Sequence, residues 1–164
     1  MRLRTIGYEG LSIEEFWARL VSNGIETLVD VREVPFSRKP GFSKARLAQA
    51  ASEHGICYLH LPSLGCPKEI RYAYREDNDW SLYTTRFKAY LETQDLAVAE
   101  LARLVAEQEC CLLCFEADPA FCHRSYVAEK VATHFHAPFT IHHITALTPS
   151  STASHQQVLA WADR

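Results

Sequence analysis

The sequence predicts a single three-layer α/β domain in which a mainly parallel sheet of about five strands has helices on both faces. Short apolar runs of strand length alternate with stretches of helical periodicity, a pattern typical of parallel sheets with helical crossovers. The segments NGIETLVDVR and HGICYLHLP share one layout, a Gly-Ile step followed by a strand. The run CCLLCF at 110–115 is continuously apolar, as in strands buried on both faces.

The first helix has the clearest predicted start and end. Ser12 and Glu15 have the spacing of a capping box, in which each side chain accepts a hydrogen bond from the backbone N–H of the other residue. Gly24 is placed to end this helix in the left-handed conformation. Over the chain, strands are predicted at 3–8, 25–31, 56–61, 110–115 and 139–144, and helices begin near Ser12, Ser43, Trp80, Asp95 and Asp118.

The stretch CCLLCFEADPAFCHR, residues 110–124, combines a strand, a tight turn and a helix. Asp118 and Pro119 are residue types favoured at the N-cap and the first position of a helix. In open α/β sheets, ligands bind at such a turn, at the carboxyl end of a strand. The stretch therefore brings together Glu116, Cys122, His123 and Arg124.

Residues 62–79 are predicted to form a long irregular loop. This length without clear periodicity is typical of a lid or a binding loop. Its basic and aromatic residues, at 67–79, are of the types that hold phosphates and stack on bases. A surface loop whose tyrosines pack on the core is the alternative. The residues concerned are Lys68, Arg71, Tyr72, Tyr74 and Arg75.

Length, charge and cysteine use limit the class of protein. The 164 residues suffice for one domain, predicted at 1–147, and a tail at 148–164 with a short helix at 155–161. The net charge of −3 excludes a global basic field that would attract nucleic acid. No apolar run approaches the roughly 20 residues of a membrane span, and the first residues lack a signal-peptide core. We therefore expect a cytoplasmic protein with no membrane partner, whose six cysteines are reduced.

Four motifs occur in order along the chain: TIGYEG, LVDVR with a downstream Pro and Ser, HLPSLG, and CFEADPAFCHR. Together, over about residues 3–144, they resemble the bacterial and archaeal family catalogued as domain of unknown function 488. That family usually has a second Gly where this chain has Cys66, and often His-Ser where it has Tyr8 and Glu9. The resemblance implies an α/β fold and supplies no activity.

All four motifs end at the carboxyl ends of predicted strands, which share one edge of a parallel sheet. The sequence therefore predicts an active site at that edge, and the alternative is a buried ion-pair network that fixes the strand ends. The predicted catalytic residues are Asp30, Glu116, Cys122 and His123, and the predicted substrate-binding residues are Arg32, Arg124, Arg38, His60 and Tyr8.

Individual roles follow from the side-chain chemistry. Arg124 lies on the apolar stripe of its helix, so it is expected to point inward and to pair with Glu116 or Asp30, or to hold an anionic substrate. Cys122 is a candidate nucleophile near a helix start, although the neighbouring carboxylates oppose its ionisation. Glu116 is the rival as nucleophile or general base. His123 is expected to shuttle a proton.

No metal and no cofactor is predicted. Cys114, Cys122 and His123 could ligate zinc, with His60 or His142 as a fourth group, but the paired C-x-x-C spacing of structural zinc is missing. A Gly-rich dinucleotide fingerprint and a P-loop are also missing. The predicted function is an enzyme that acts on an anionic partner, a phosphate-bearing small molecule or nucleotide. The alternative is a non-catalytic module that binds nucleic acid or protein through the loop at 67–79.

Overall fold

A computed structural model of the protein describes residues 1–145. The strands are β1 Arg2–Gly7, β2 Thr27–Asp30, β3 Cys57–His60, β4 Cys110–Cys114 and β5 Thr140–Ile144. The helices are α1 Ile13–Ser22, α2 Lys44–Glu53, α3 Lys68–Asp77, α4 Trp80–Glu92, α5 Asp95–Glu107 and α6 His123–Ala132. All strands of this sheet run parallel, in the order β3-β2-β4-β1-β5. The predicted α/β class is confirmed, while the tail at 148–164 and its helix at 155–161 lie outside the described residues.

The two faces of the sheet carry separate cores, because successive strand residues point to opposite faces. Cys111 and Leu113 of β4 belong to the core under α1 and α2, together with Phe16 and Leu47. Leu112 of β4 belongs to the opposite core, which α4, α5 and α6 cover. None of the helices within residues 1–145 has the length and apolar character needed to span a bilayer.

The predicted start and end of α1 are confirmed. The Ser12 hydroxyl accepts a hydrogen bond from the Glu15 N–H at 3.1 Å, and the Glu15 carboxylate accepts one from the Ser12 N–H at 2.8 Å. Gly24 follows the helix with φ +63°. Local signals therefore suffice where the capping side chains lie within one turn of each other.

The long loop predicted at 62–79 is wrong. A 3-10 turn at Pro62–Leu64 and the helix α3 occupy most of it. Tyr74 is the one fully buried side chain of α3, and it packs edge to face on Trp80 and Tyr83 of α4. Because the rest of α3 is polar or half-exposed, the sequence shows too few apolar residues to reveal the helical period.

The helix predicted to have Asp118 as its N-cap begins four residues later. The Asp118 carboxylate accepts a hydrogen bond from the Ala120 N–H at 2.8 Å and caps a 3-10 turn at Pro119–Phe121. Cys122 is then extended, with φ −136° and ψ 135°, and serves as the N-cap of α6. This extended residue lets the chain turn back toward β4 before the helix starts.

A close approach of two backbones joins β1 to the turn after β4. A Cβ atom on Gly7 would lie 1.7 Å from the main-chain oxygen of Glu116. Pairing continues past the strands, because the Glu9 N–H donates to the Phe115 carbonyl at 2.8 Å. The Glu9 carboxylate in turn accepts a hydrogen bond from the Ala117 N–H at 2.9 Å. Glycine is therefore required at position 7 for reasons of space.

We expect Gly7→Ala to destabilise the protein by more than about 3 kcal/mol, because the clash is with backbone that no side-chain rotation can relieve. The free energy of unfolding from denaturant titration measures the loss. Gly10→Ala is the control: its φ is +77° but no atom lies within 4 Å of the new Cβ, so backbone strain of about 1–2 kcal/mol is its cost. Equal losses in the two variants would contradict the close-approach argument.

Candidate functional site

A pocket of about 630 Å³, its open mouth included, lies at the carboxyl edge of the sheet. The connection after β2 leads to β3 at one edge of the sheet, whereas the connection after β4 leads past β1 to β5 at the other edge. The two directions therefore diverge between the neighbouring strands β2 and β4. Open α/β sheets bind ligands at such points. The pocket floor is formed by Cys114, Glu116 and His123, its walls by Tyr8, Arg32, Cys66 and Phe115, and its rim by Glu33, Val34, Phe36 and Arg71.

Two thiols, a carboxyl and an imidazole meet at the floor, and we call Cys114, Glu116, Cys122 and His123 the floor cluster. The Cys114 and Cys122 thiols donate to the same carboxylate oxygen, Oε2 of Glu116, at 3.0 and 2.9 Å. One ligand atom from each of the four residues lies within 4.8 Å of those from the others, and all four residues are buried. Cys122 is not among the residues that line the pocket and lies behind the other three.

The imidazole of His123 is oriented by a backbone carbonyl. Its Nε2 lies 3.0 Å from the main-chain oxygen of Val31, just past the end of β2. Because a carbonyl only accepts hydrogen bonds, Nε2 carries a proton. The other nitrogen, Nδ1, lies 3.7 Å from the Cys114 sulfur, so it faces the floor cluster. The Phe87 ring packs edge to face against the imidazole at 5.3 Å and fixes its plane.

Burial changes the acid–base properties of the floor cluster. Burial, with the Cys122 thiol beside it, raises the pKa of Glu116 to about 8. Burial also raises the pKa of Cys114 well above its usual value. Burial opposes ionisation of Cys122 as well, but its contact with Cys114 and the positive charges of Arg124 and His123 hold its pKa below the usual range. Of the two thiols, Cys122 is therefore the one that ionises more easily.

The strand period explains why Cys114 belongs to the site. Residues two apart in a strand point to the same side, so Cys114 and Glu116 both face α4 and α6. The sequence predicts Cys114 either as a packed strand residue or as one member of an incomplete zinc set. It gives no signal for the rim residues Val34 and Phe36, whose side chains are exposed at the mouth of the pocket. Counting by two from Glu116 would have found Cys114.

Arg124 does not form the ion pair that was expected. Its side chain is fully buried, and Nε donates to the Thr5 hydroxyl at 3.2 Å. Its two terminal nitrogens donate to the main-chain carbonyls of Glu116 and Ala117, at 2.5 and 3.2 Å. No carboxylate forms a salt bridge with it among residues 1–145. The carbonyls of the tight turn after β4 supply the acceptors that a carboxylate was expected to supply, so Arg124 holds the turn in place.

Asp30 and Arg32 form a buried ion pair at the end of β2. The guanidinium donates to both carboxylate oxygens of Asp30, from Nε at 2.8 Å and from Nη2 at 2.6 Å. Its Nη1 donates to the Tyr8 hydroxyl at 3.1 Å and to the Phe42 carbonyl at 2.9 Å. The Tyr58 hydroxyl donates to Asp30 at 2.6 Å. Arg32 therefore reaches the pocket wall with most of its N–H groups already bonded.

The remaining predicted residues lie around the pocket rather than in its lining. His60 accepts a hydrogen bond from the Lys44 ammonium at Nδ1, 3.1 Å away, and donates from Nε2 to the Arg32 carbonyl at 2.9 Å. It thus supports the backbone beside the ion pair. Arg38 is exposed on the loop between β2 and α2. The structure brings together Tyr8, Arg32, Glu116 and His123 as lining residues, with Asp30, Cys122 and Arg124 directly behind them.

The chain matches the sequence model of a known protein family. The sequence model of the family described as Domain of unknown function DUF488 matches residues 12–131, which is most of the chain. The chain therefore belongs to this family. Comparisons with curated proteins and with solved structures found no match.

We expect Asp30→Asn to cost about 3–5 kcal/mol of stability, because it leaves the Arg32 guanidinium buried without its counter-charge. Denaturant unfolding of the variant measures the loss. The matched control is Asp77→Asn, which breaks the exposed pair with Arg86 and should change stability little. Similar small effects in both variants would show that Asp30 does not anchor the end of β2.

Proposed function

We propose that this member of the DUF488 family is an enzyme that acts on a small molecule held in the pocket at the carboxyl edge. One observation carries the proposal: the floor of a single pocket presents a thiol, a carboxyl and an imidazole, from Cys114, Glu116 and His123. Groups of these types supply nucleophiles and proton acceptors in enzymes. The reaction class that they support is hydrolysis or transfer of a group from the bound molecule.

The pocket walls and rim support a phosphate-bearing molecule or nucleotide as the substrate. Tyr8 and Phe115 pack edge to face at 5.2 Å and form an aromatic wall, and Phe36 is 61% exposed at the rim. The exposed ring of Phe36 suits a planar base. Arg71 pairs with Glu33 at 2.6 Å, and both residues are partly exposed. Because a partly exposed pair contributes little stability, a substrate phosphate can replace Glu33 as the partner of Arg71.

A structural ion-pair network remains the alternative for part of the site. Asp30 with Arg32, and Arg124 with its carbonyls, have the several buried hydrogen bonds expected of such a network. In our proposal they position the strand ends and do not contact the substrate chemically. The floor cluster differs from them because it presents a possible nucleophile and proton acceptors, on Cys114, Glu116 and His123, to the open pocket.

The proposal predicts that nucleotides or sugar phosphates raise the melting temperature of the wild-type protein, because a ligand that binds only the folded state stabilises it. Phe36→Ala should weaken binding by about 1–3 kcal/mol, the contribution of one stacked base. Isothermal titration calorimetry measures the affinity, and chromatography of the reaction mixture measures turnover.

Leu96→Ala is the matched control for this test. Leu96 is 90% exposed on α5 and does not line the pocket, so its truncation should leave ligand affinity unchanged. If no phosphate-bearing molecule in the set binds, or if both variants bind equally well, the proposed substrate pocket is wrong.

A second candidate function, the nucleic-acid-binding module, is favoured by one face of α3. Tyr72 is 44% exposed, and its ring lies 5.1 Å from the Lys68 ammonium and 5.5 Å from the Arg75 guanidinium. These three residues, at spacings of four and three, share one side of the helix. An aromatic ring between two cations is suited to a single strand, through stacking and phosphate contacts.

If this face binds single-stranded nucleic acid, affinity should fall steeply with salt, by a slope of about 0.7 for each phosphate contacted. Replacing Lys68 and Arg75 together with Gln should reduce the slope by about 1.4, the share of two phosphates. Fluorescence anisotropy over a salt series measures both slopes. Binding that is absent, or that keeps its slope in the double variant, would exclude α3 as a binding face.

A further inference from the structure

The four members of the floor cluster have the chemistry of a metal-ligand set. We propose that Cys114, Glu116, Cys122 and His123 bind a divalent transition-metal ion of the zinc type. Thiolate, imidazole and carboxylate are the ligands that zinc takes in proteins, and two thiolates favour zinc or iron over magnesium or calcium. The sequence predicted no metal, and as candidates for a fourth ligand it offered His60 and His142. In the structure Glu116 takes that position.

The donor atoms already converge without a metal. Both sulfurs lie about one hydrogen-bond length from a single oxygen of Glu116, so three potential ligand atoms meet at one point. Cys122 and His123 are adjacent in the chain, yet both reach this point because Cys122 is extended and His123 begins α6. Cys114 is the last residue of β4, and Glu116 lies in the turn after it. The four ligand atoms therefore come from two separate segments of the chain.

The surroundings of His123 match those of a metal-bound histidine. Metal-binding imidazoles usually donate their other N–H to a carboxylate or a backbone carbonyl, which fixes the ring. Here Nε2 donates to the Val31 carbonyl at 3.0 Å, which leaves Nδ1 as the ligand atom, and the Cys114 sulfur lies beside the ring, 3.7 Å from Nδ1 and 3.9 Å from Nε2. The hydrogen bond that orients a metal-binding histidine is thus present.

The charges balance when a divalent ion is bound. Two thiolates, one carboxylate and the ion sum to −1, and the buried guanidinium of Arg124 contributes +1 beside them. Arg124 bonds to the main-chain carbonyls of Glu116 and Ala117, which keeps its charge next to the cluster. A buried site with no net charge avoids most of the cost of taking ions out of water.

The location of the cluster leaves the ion one open side. Cys114, Glu116 and His123 face the pocket, whereas Cys122 lies behind them. Catalytic zinc sites hold the metal with three protein ligands and keep the fourth position for water or substrate. We place Glu116 at that exchangeable position, because a single carboxylate oxygen leaves the metal more readily than a thiolate. In this respect the inference rests on the proposed function and deepens it, since the ion would activate water or the substrate.

The same geometry disfavours a reaction in which Cys122 alone attacks the substrate. Cys122 is 1% exposed and does not line the pocket, so a substrate atom cannot reach its sulfur without passing the other three groups. A metal accounts for the burial of Cys122, since ligands need to reach the ion and not the substrate. It also accounts for the second thiol, which a nucleophilic mechanism does not use.

Cobalt and zinc titrations of the full chain test the proposal. After removal of metal with a chelator under reducing conditions, we expect one Co²⁺ to bind per chain and to produce the ultraviolet charge-transfer absorption of cobalt–thiolate bonds. The band intensity should correspond to two thiolates, and stoichiometric Zn²⁺ should abolish it. A wild-type protein that binds no Co²⁺, or binds it without the thiolate band, would overturn the proposal without any need for variants.

Variants assign the ligands. Cys114→Ser and Cys122→Ser should each weaken Zn²⁺ binding more than about 100-fold, since even partners outside the ligand set change affinity roughly 10–100-fold. Cys110→Ser is the matched control, because Cys110 is a buried thiol of the same strand that lies outside the cluster. Circular dichroism confirms that each variant folds. Affinities that stay unchanged in folded Cys114→Ser and Cys122→Ser would exclude the site.

Metal binding and catalysis are separated by their readouts. A protein that shows the cobalt–thiolate band but neither binds nor converts any phosphate-bearing molecule would keep the metal site and lose the proposed function. Turnover that survives complete metal removal, in a protein that binds no Co²⁺, would keep the proposed function and remove the metal site.

Discussion

The contact between Gly7 and the main-chain carbonyl of Glu116 is the constraint on which the candidate site depends. At this point β1 and the turn after β4 approach so closely that no side chain fits between them. Arg124 donates to the same carbonyl, and the Glu9 carboxylate accepts a hydrogen bond from the N–H of the same peptide group, that of Ala117. The backbone at Glu116 is thus bonded in several directions. Its side chain can then point only toward α4 and α6, where the two thiols and the imidazole lie.

The end of β2 provides the second fixed point. Asp30 and Arg32 are locked together by two hydrogen bonds, and the carbonyl of Val31 between them orients His123. Fixing a buried ion pair on either side of one residue leaves its carbonyl little freedom to move. Two neighbouring strands therefore position the groups of the candidate site. Strand β4 and the turn after it position a thiol and the carboxyl, and the residue after β2 orients the imidazole. The ion pair stabilises the site through geometry and contacts the pocket only through the edge of Arg32.

The fold and the edge that carries the site were predictable from local patterns, and the pairings within the site were not. Short, continuously apolar runs and the Gly-Ile steps predict parallel strands, and polar residues at the strand ends predict the edge that carries the candidate site. The α3 helix could not be predicted from apolar periodicity, because only Tyr74 of its ten residues is fully buried. The hydrogen-bond partners of Arg124 could not be predicted for another reason. The sequence shows which side chains are charged, whereas the acceptors of Arg124 are backbone carbonyls of a turn whose shape depends on Gly7.

Stability alone does not explain what the floor cluster is made of. A thiol is a weak hydrogen-bond donor, and the hydrogen bonds described for the Glu116 carboxyl within residues 1–145 come from two thiols. A carboxyl buried with such donors is poorly compensated for the water it has lost, and the rise in the pKa of Glu116 expresses that deficit. Apolar residues of similar volume at these positions would often give an equal or more stable fold. A bound cation or substrate would supply the interactions that the Glu116 carboxyl lacks, and such a ligand would enter through the pocket that Cys114, Glu116 and His123 line.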